Sequence, residues 1–242
     1  MEEHLLSEQE PPQFRWQRLD LAAFAVFFLL TWLALSVVAA LVSDSPSNAA
    51  GIYQLLLSVF LDVLVVGFIF YLVRILHGQP LLVTLRWNHK EKVSLVSLIL
   101  TGTLLAIAAL IVSGIFPPPP DTVFDKFLTT TPSLVLFVVF GVAVGPLLEE
   151  VIFRGFIYTL LADVYSPTVA VPITSVLFAM MHVSQLRGNL PAVLLILGVG
   201  YALTVIRKRS NSLIPSVIVH MTYNSLILGI SALSTVMQHE SS

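Results

Sequence analysis

Two adjacent carboxylates and one arginine interrupt an otherwise apolar stretch of the chain. Glu149, Glu150 and Arg154 are the only charged residues between Leu134 and Leu161. A charged side chain near the centre of a bilayer costs about 2.5–3.5 kcal/mol on insertion scales. A cytoplasmic loop would avoid this cost, but the sequence is apolar on both sides of the three charges. The pattern therefore indicates a polar site built inside a membrane bundle.

The spacing of the three charged residues predicts how they divide on a helix. Glu150 and Arg154 are four residues apart, so they share one helical face and can form an ion pair. Glu149 is turned about 100° away from Glu150 and cannot share that partner equally. We therefore expect Arg154 to hold Glu150, leaving Glu149 to face a cavity. Pro146 has no backbone N–H, which predicts a bend just before Glu149.

Two later apolar segments supply ionisable and amide side chains. His182 ends one segment, while His220 and Asn224 lie four residues apart on one face of another. Taken singly, such residues more often pack or bond a neighbouring helix. Together with Glu149 they provide a carboxylate, two imidazoles and an amide donor. These groups can activate a water and stabilise an oxyanion.

The three groups resemble the motifs of the CPBP intramembrane proteases. This family includes relatives of the type II CAAX prenyl endopeptidase and of bacterial bacteriocin-processing or abortive-infection proteins. The motifs are Glu-Glu-x-x-x-Arg, Phe-x-x-x-His and His-x-x-x-Asn, and here they occupy residues 149–154, 178–182 and 220–224. Each motif is weak alone, but all three in order are fairly specific. The resemblance covers about Leu134 to Leu233.

The resemblance implies a role for each matched residue. Glu149 and His182 would activate a water for attack on a peptide carbonyl, with Glu149 as the base. His220 and Asn224 would stabilise the oxyanion. The residues that would support the shape of the site are Glu150, Arg154 and Phe178.

A catalytic metal is the alternative to this reaction. Glu149, His182 and His220 have the chemistry of zinc ligands. However, the His-Glu-x-x-His helix of many zinc peptidases is missing, and the amide of Asn224 is a poor zinc ligand. We favour a reaction without a cofactor, and we keep a divalent metal such as zinc on these three residues as the alternative.

The composition places the chain in the membrane class. Of its 242 residues 57% are hydrophobic and only 11% are charged, against about 25% charged in a soluble domain. The net charge is −2 and there is no basic tail, so nucleic acid is not an expected partner. The expected partners are the lipid bilayer and a peptide or membrane-protein substrate. Cysteine is absent, which excludes disulfides and thiolate chemistry.

Apolar runs predict an all-α, polytopic bundle of about seven transmembrane spans. The predicted spans are Leu19–Val42, Ile52–Ile75, Ser94–Phe116, Leu134–Leu161, Thr168–Val183, Leu190–Ile206 and Leu213–Leu233. We divide the chain into a polar tail (1–17), N-terminal membrane helices (18–130) with an interfacial segment (80–93), a catalytic core (131–236) and a C-terminal tail (237–242). A helix start is expected at Thr129–Ser133.

Positive charge is distributed unevenly between the two sides of this bundle. With a cytoplasmic N-terminus, nine Lys and Arg residues face the cytoplasm and only Lys126 and Arg187 lie outside. This bias follows the positive-inside rule, and it predicts an integral protein of the cell membrane with its N-terminus inside. The run Arg207–Arg209 is interpreted first as an orientation signal and second as a contact for anionic lipid.

Two other functions are compatible with these residues. One is a non-catalytic immunity or scaffold protein that binds a peptide partner in the same cavity. The other is a proton-coupled transporter that uses the carboxylates and histidines as a relay. Three residues outside the motifs are assigned packing roles. We expect Asp62 to bond Ser58 or a neighbouring helix, and Gly198 and Gly200 to permit close helix approach.

Overall fold

Helices make up the secondary structure of the described part of the chain, where no strand occurs. A computed structural model describes residues 14–42, 47–88, 93–117, 135, 138–186 and 188–240. Several predictions fall outside these ranges. They are most of the N-terminal tail, the charged part of the interfacial segment, the cations Lys126 and Arg187, the helix start at Thr129–Ser133 and the end of the C-terminal tail.

The described residues form eight helices, here numbered in chain order. They are α1 (Arg18–Val42), α2 (Ser47–Phe70, continued by a π-helical turn Tyr71–Leu76), α3 (Leu81–Thr84), α4 (Leu95–Ile115), the composite helix α5 (residues 140–164), α6 (Pro167–His182), α7 (Leu190–Ser210) and α8 (Ile214–Glu240). Each predicted span corresponds to one of these helices, and α3 lies in the predicted interfacial segment. The predicted all-α polytopic fold is therefore confirmed.

Five helices are long and apolar enough to cross a membrane. These stretches are Arg18–Val38, Leu56–Leu76, Leu95–Ile115, Leu190–Ser210 and Ile214–Ser231. The other two predicted spans correspond to α5 and α6. Helix α6 has only 16 residues, which is short for the roughly 30 Å hydrocarbon core. Helix α5 carries the charged residues and changes its winding along its length.

The predicted single helix of span four alternates between π and α winding. Its successive segments are Phe140–Val144 (π), Gly145–Glu150 (α), Val151–Ile157 (π) and Tyr158–Val164 (α). A π turn bonds each N–H to the carbonyl five residues earlier and is often found at functional sites. The sequence analysis predicted only a bend at Pro146. The two π segments surround the α-helical turn that carries Glu149 and Glu150.

Helix α5 is packed inside the bundle rather than against lipid alone. Residues 152–158 are all buried, and Phe156 packs against Phe24 of α1 and against Trp16, which precedes it. In a bilayer such contacts stabilise the bundle through close van der Waals packing. The segment that holds the charged residues is therefore a core element of the fold.

Two glycines allow neighbouring helices to approach closely. A Cβ on Gly102 of α4 would lie 2.7 Å from the carbonyl oxygen of Val219 on α8. A Cβ on Gly200 of α7 would lie 3.0 Å from the Phe178 ring on α6, as the sequence analysis predicted. The same prediction for Gly198 is wrong, because a Cβ there would meet no atom of the described residues within 4 Å. Gly198 therefore lies on a face of α7 that packs against none of them.

Candidate active site

The carboxylate of Glu150 is fully buried and receives two charged or polar donors. Arg154 donates from Nη1 to Oε1 at 2.7 Å, which is the ion pair predicted from the four-residue spacing. His220 donates from Nδ1 to the same oxygen at 2.9 Å. Both partners come from buried positions, so the interaction is little screened by solvent. Glu150 thus joins α5 to α8.

The guanidinium of Arg154 connects α5 to two further helices. Nη2 donates to the carbonyl of Gly200 at 3.0 Å, and Nε donates to the hydroxyl of Thr204 at 3.3 Å, both on α7. Its Cζ lies 4.3 Å from the ring centroid of Phe178 on α6, within the range of a cation–π interaction. All three guanidinium nitrogens are therefore engaged, as burying such a charge requires.

Glu149 points away from this pair and toward both imidazoles. Its Oε1 lies 4.0 Å from Nε2 of His182, and its Oε2 lies 3.6 Å from Nε2 of His220. The side chain remains 27% exposed, against 18% for His182 and 4% for His220. Both separations are too long for a direct hydrogen bond, and polar groups at such distances are commonly bridged by water. The three groups face one small space that is open at Glu149.

The tautomer of His182 follows from its backbone contact. Nδ1 lies 2.8 Å from the carbonyl oxygen of Phe178, one turn earlier on α6. A carbonyl only accepts, so Nδ1 carries a proton and Nε2 of the neutral ring is an acceptor. Two acceptors, Nε2 and the Glu149 carboxylate, therefore face each other 4.0 Å apart. A water about 2.8 Å from each would donate one hydrogen to each of them.

His220 is placed between the two carboxylates of α5. Its Nδ1 donates to Glu150, and its Nε2 is the nitrogen that faces Glu149. In the imidazolium form both nitrogens donate. A protonated His220 would therefore keep its bond to Glu150 and present an Nε2 proton to the space beside Glu149.

Phe178 supports the site with both its ring and its backbone. Its ring centroid lies 4.6 Å from that of His182 and 5.8 Å from that of His220. Phe153 of α5 meets the ring edge to face at 5.2 Å. Together with the contact to Arg154, these interactions place one aromatic ring against both histidines and the arginine. The carbonyl of the same residue orients His182.

Asn224 is bonded to the first π segment of α5. Its Nδ2 donates to the carbonyl of Gly141 at 2.8 Å. In that segment the N–H of Gly145 donates to Phe140, five residues earlier. The next N–H in this register would belong to residue 146, which is a proline and has none. The carbonyl of Gly141 is thus left for Asn224, whose amide keeps a second N–H.

Arg207 also belongs to this framework, which the sequence did not predict. The residue is only 2% exposed, so it does not contact lipid on the open surface of the bundle. The interpretation of Arg207–Arg209 as an orientation signal stays a prediction. Nε donates to the carbonyl of Arg154 at 3.1 Å, and Nη2 donates to the hydroxyl of Thr159 at 3.2 Å. Where α5 returns from π to α winding, one backbone carbonyl receives no N–H from its own helix. A donor from another helix can then bond it. Nothing in the sequence distinguishes a cation at the end of an apolar helix that bonds a backbone carbonyl from one that faces solvent or lipid.

Asp62 lies closer to the site than the sequence suggested. It is partly buried on α2 and interacts electrostatically with Glu149. This places a third acidic side chain near the space between Glu149 and the histidines. Its position in the middle of an apolar span was compatible with ion transfer, and the bond to Ser58 or a neighbouring helix stays a prediction.

Glu149, His182 and His220 are also the residues that a catalytic metal would use. Within the described residues, no group of three or more His, Asp or Glu side chains has an arrangement that would hold a metal ion. Glu149, His182 and His220 do face one another, with the separations given above. Their arrangement is open enough to hold a water between the carboxylate and an imidazole.

Comparison with protein families gives a match for the part of the chain that contains this site. Residues 131–226 match the family model described as type II CAAX prenyl endopeptidase Rce1-like. This region is similar to the Rce1-like family. The match agrees with the resemblance to CPBP proteases, a group of endopeptidases. Neither the curated proteins nor the solved structures contain a significant match to the chain.

The matched region contains every residue of the site described above except Asp62. It includes the described part of α5, all of α6 and α7, and α8 as far as residue 226. Helices α1, α2 and α4 lie outside the matched range and pack around it. The chain is therefore an integral membrane protein whose second half contains the region similar to this family.

Proposed function

We propose that the protein is an intramembrane endopeptidase in which Glu149 and His182 activate a water for attack on a peptide carbonyl. One observation carries the proposal: Glu149 faces two imidazoles, whereas Oε1 of the neighbouring, fully buried Glu150 is bonded to both Arg154 and His220. Two adjacent carboxylates thus have different environments and different roles. Glu149 is partly exposed and has no arginine or lysine partner among the described residues, and Glu150 is structural.

The reaction begins with the water between Glu149 and His182. Glu149 accepts a proton as the water oxygen attacks the carbonyl carbon of the scissile peptide bond. The second hydrogen of the water is held by Nε2 of His182, which orients the attacking lone pair. Glu149 then returns the proton to the leaving amide nitrogen, the C–N bond breaks, and a carboxylate and an amine are released. General base catalysis of this kind contributes about 10²–10⁴-fold to a rate.

The negative charge of the tetrahedral intermediate requires donors on the other side of the carbonyl. His220 in its imidazolium form offers Nε2–H, because its Nδ1 is already bonded to Glu150. Asn224 offers the second N–H of an amide that Gly141 holds in place. Donors fixed before the reaction lose little energy to reorganisation, and one such donor is worth about 2.7–4 kcal/mol.

The substrate is a peptide or the tail of a membrane protein. The exposure of Glu149 gives such a chain a route to the site from the protein surface. We assign the N-terminus and the basic ends of α2 and α7 to the cytoplasmic side of the cell membrane, in agreement with the positive-inside rule. The proposed reaction uses no metal. The proposal leaves the prenylation of the substrate open, so prenylated and unprenylated peptides are both used in the test.

The test compares two glutamine variants of adjacent residues. The purified full-length protein is incorporated into nanodiscs and incubated with a CAAX-type peptide, prenylated and unprenylated, and with a membrane-peptide extract. E149Q should lose cleavage by at least 10³-fold and keep the wild-type unfolding temperature. E150Q should lower the unfolding temperature, because it weakens a buried ion pair. Full cleavage by E149Q would exclude the proposed base.

A further inference from the structure

A cleft beside Arg207, separate from the space at Glu149, is lined by three arginines. It has a volume of about 380 Å³ and lies where the end of α5, the start of α6 and the end of α7 meet. Arg15, Arg86 and Arg207 line it, and Asp163 is the only acidic residue among the lining residues of the described chain. The local charge is therefore positive, although the whole chain carries −2.

Arg207 is the buried wall of this cleft. Nε and Nη2 are bonded to the α5 backbone carbonyl and to Thr159, as described above. Within the described residues, Nη1 of Arg207 has no hydrogen-bond partner, nor do the guanidinium groups of Arg15 and Arg86. Nη1 of Arg207 is therefore available to an acceptor that enters the cleft.

Arg86 adds positive charge beside Arg207 and does not neutralise it. Its guanidinium is close enough to that of Arg207 for mutual electrostatic repulsion. Its backbone has a φ of +58°, a left-handed conformation that non-glycine residues seldom adopt. The backbone N–H of Leu213 donates to the carbonyl of Arg86 at 3.0 Å and holds it there. Such strained positions concentrate at functional sites.

The remaining walls of the cleft also favour an anion. Ser166 is the N-cap of α6 and Pro167 is its first residue, so the cleft lies at the end of α6 that carries partial positive charge. Pro167 has no N–H and that of Val169 is bonded to Ser166, so this end contributes through its dipole. Tyr158 and Thr159 line the same space. The carboxylate of Asp163 is directed in part to another partner, because its Oδ2 accepts the N–H of Trp16 at 3.2 Å. Guanidinium groups and a helix N-terminus together are characteristic of phosphate sites.

We propose that this cleft binds a phosphate group, with Arg15 and Arg86 at its mouth and Arg207 at its base. The phosphate belongs either to the headgroup of an anionic lipid or to a soluble phosphate compound. Its negative charge would offset the repulsion between Arg86 and Arg207 and fix the guanidinium that bonds the carbonyl of Arg154. Binding would thereby stabilise the helix that carries Glu149 without contacting the reacting groups.

The experiment measures binding by thermal unfolding of the purified full-length protein. In one arm, inorganic phosphate is titrated in neutral detergent, with chloride keeping the ionic strength constant. In the other, the protein is placed in phosphatidylcholine nanodiscs with or without phosphatidylglycerol. The variants are R15Q, the double variant R15Q/R86Q, and R18Q as a control that removes an exposed arginine outside the cleft.

We expect the unfolding midpoint of the wild type to rise in at least one arm. A rise with inorganic phosphate indicates a soluble phosphate compound, and a rise with phosphatidylglycerol indicates a lipid headgroup. R15Q/R86Q should raise the apparent dissociation constant at least tenfold, R15Q should show a smaller increase, and R18Q should match the wild type. The proposal is overturned if neither probe raises the midpoint, or if all four proteins respond equally. Neither readout depends on proteolysis.

Discussion

The side-chain amide of Asn224 on α8 is hydrogen-bonded to the backbone carbonyl of Gly141 on α5. The distance is 2.8 Å, and the carbonyl is available because Pro146 stands where the next N–H of the π ladder would be. The second π segment has a similar relationship, in which Arg207 donates to the carbonyl of Arg154. Both changes of winding thus provide backbone acceptors that bond α5 to α7 and α8. Between them lies the turn with Glu149 and Glu150.

A double-mutant cycle tests the link between Pro146 and Asn224. Replacing Asn224 by Ala should destabilise the protein by about 1–3 kcal/mol, because the carbonyl of Gly141 loses its donor. In P146A the backbone regains an N–H that can bond this carbonyl, so N224A should cost less in that background. We expect a coupling of about 0.5–3 kcal/mol between the two sites. Strictly additive changes in unfolding free energy would show that the proline does not provide the acceptor.

Arg154 is expected to matter more for stability than for chemistry. R154M leaves the buried carboxylate of Glu150 without its cation and should destabilise the protein by about 3–5 kcal/mol. The measurement is the unfolding midpoint in detergent, together with the yield of folded protein. R18M serves as the control, since loss of an exposed charge usually changes stability by no more than about 0.5 kcal/mol. Equal behaviour of the two variants would mean that the ion pair contributes nothing to the fold.

Arg207 should act through the backbone of α5. R207Q removes the donor to the Arg154 carbonyl and should destabilise the protein by about 1–3 kcal/mol, with a several-fold loss of cleavage as Glu149 is held less firmly. R209Q, an exposed neighbour on the same helix, should resemble the wild type. Unfolding and peptide cleavage are measured on both variants without added phosphate. A wild-type unfolding temperature for R207Q would remove Arg207 from the framework.

Chelation distinguishes the proposed reaction from the zinc alternative. Prolonged dialysis against EDTA and phenanthroline should leave cleavage unchanged, because Glu149 and His182 act on water directly. The metal content of the active preparation is measured at the same time by mass spectrometry. Loss of activity that zinc restores would instead assign Glu149, His182 and His220 as ligands, with Glu150 and the Phe178 carbonyl orienting the two imidazoles.

Local spacing in the sequence was enough to predict the pairing of Glu150 with Arg154. Residues four apart on a helix share a face whatever surrounds them, so the separation of Glu149 from this pair also follows from helical geometry. The approach of α6 and α7 at Gly200 was predicted because a small residue in an apolar helix has few other uses. The interpretation of Gly198 failed because composition does not show which face of a helix meets a neighbour.

The sequence alone determined the membrane class, the order of the apolar segments and the set of polar residues that interrupt them. These depend on composition and on contacts within one turn, which the chain order already contains. Only the tertiary structure decided that His182, His220 and Glu149 face one space, that Asn224 and Arg207 bind backbone carbonyls of α5, and that Asp62 approaches the same site. Those contacts join residues 33 to 87 positions apart, and two of them reach carbonyls left free by π winding. The local pattern of residue types contains neither the packing of helices nor a shift in the hydrogen-bond ladder.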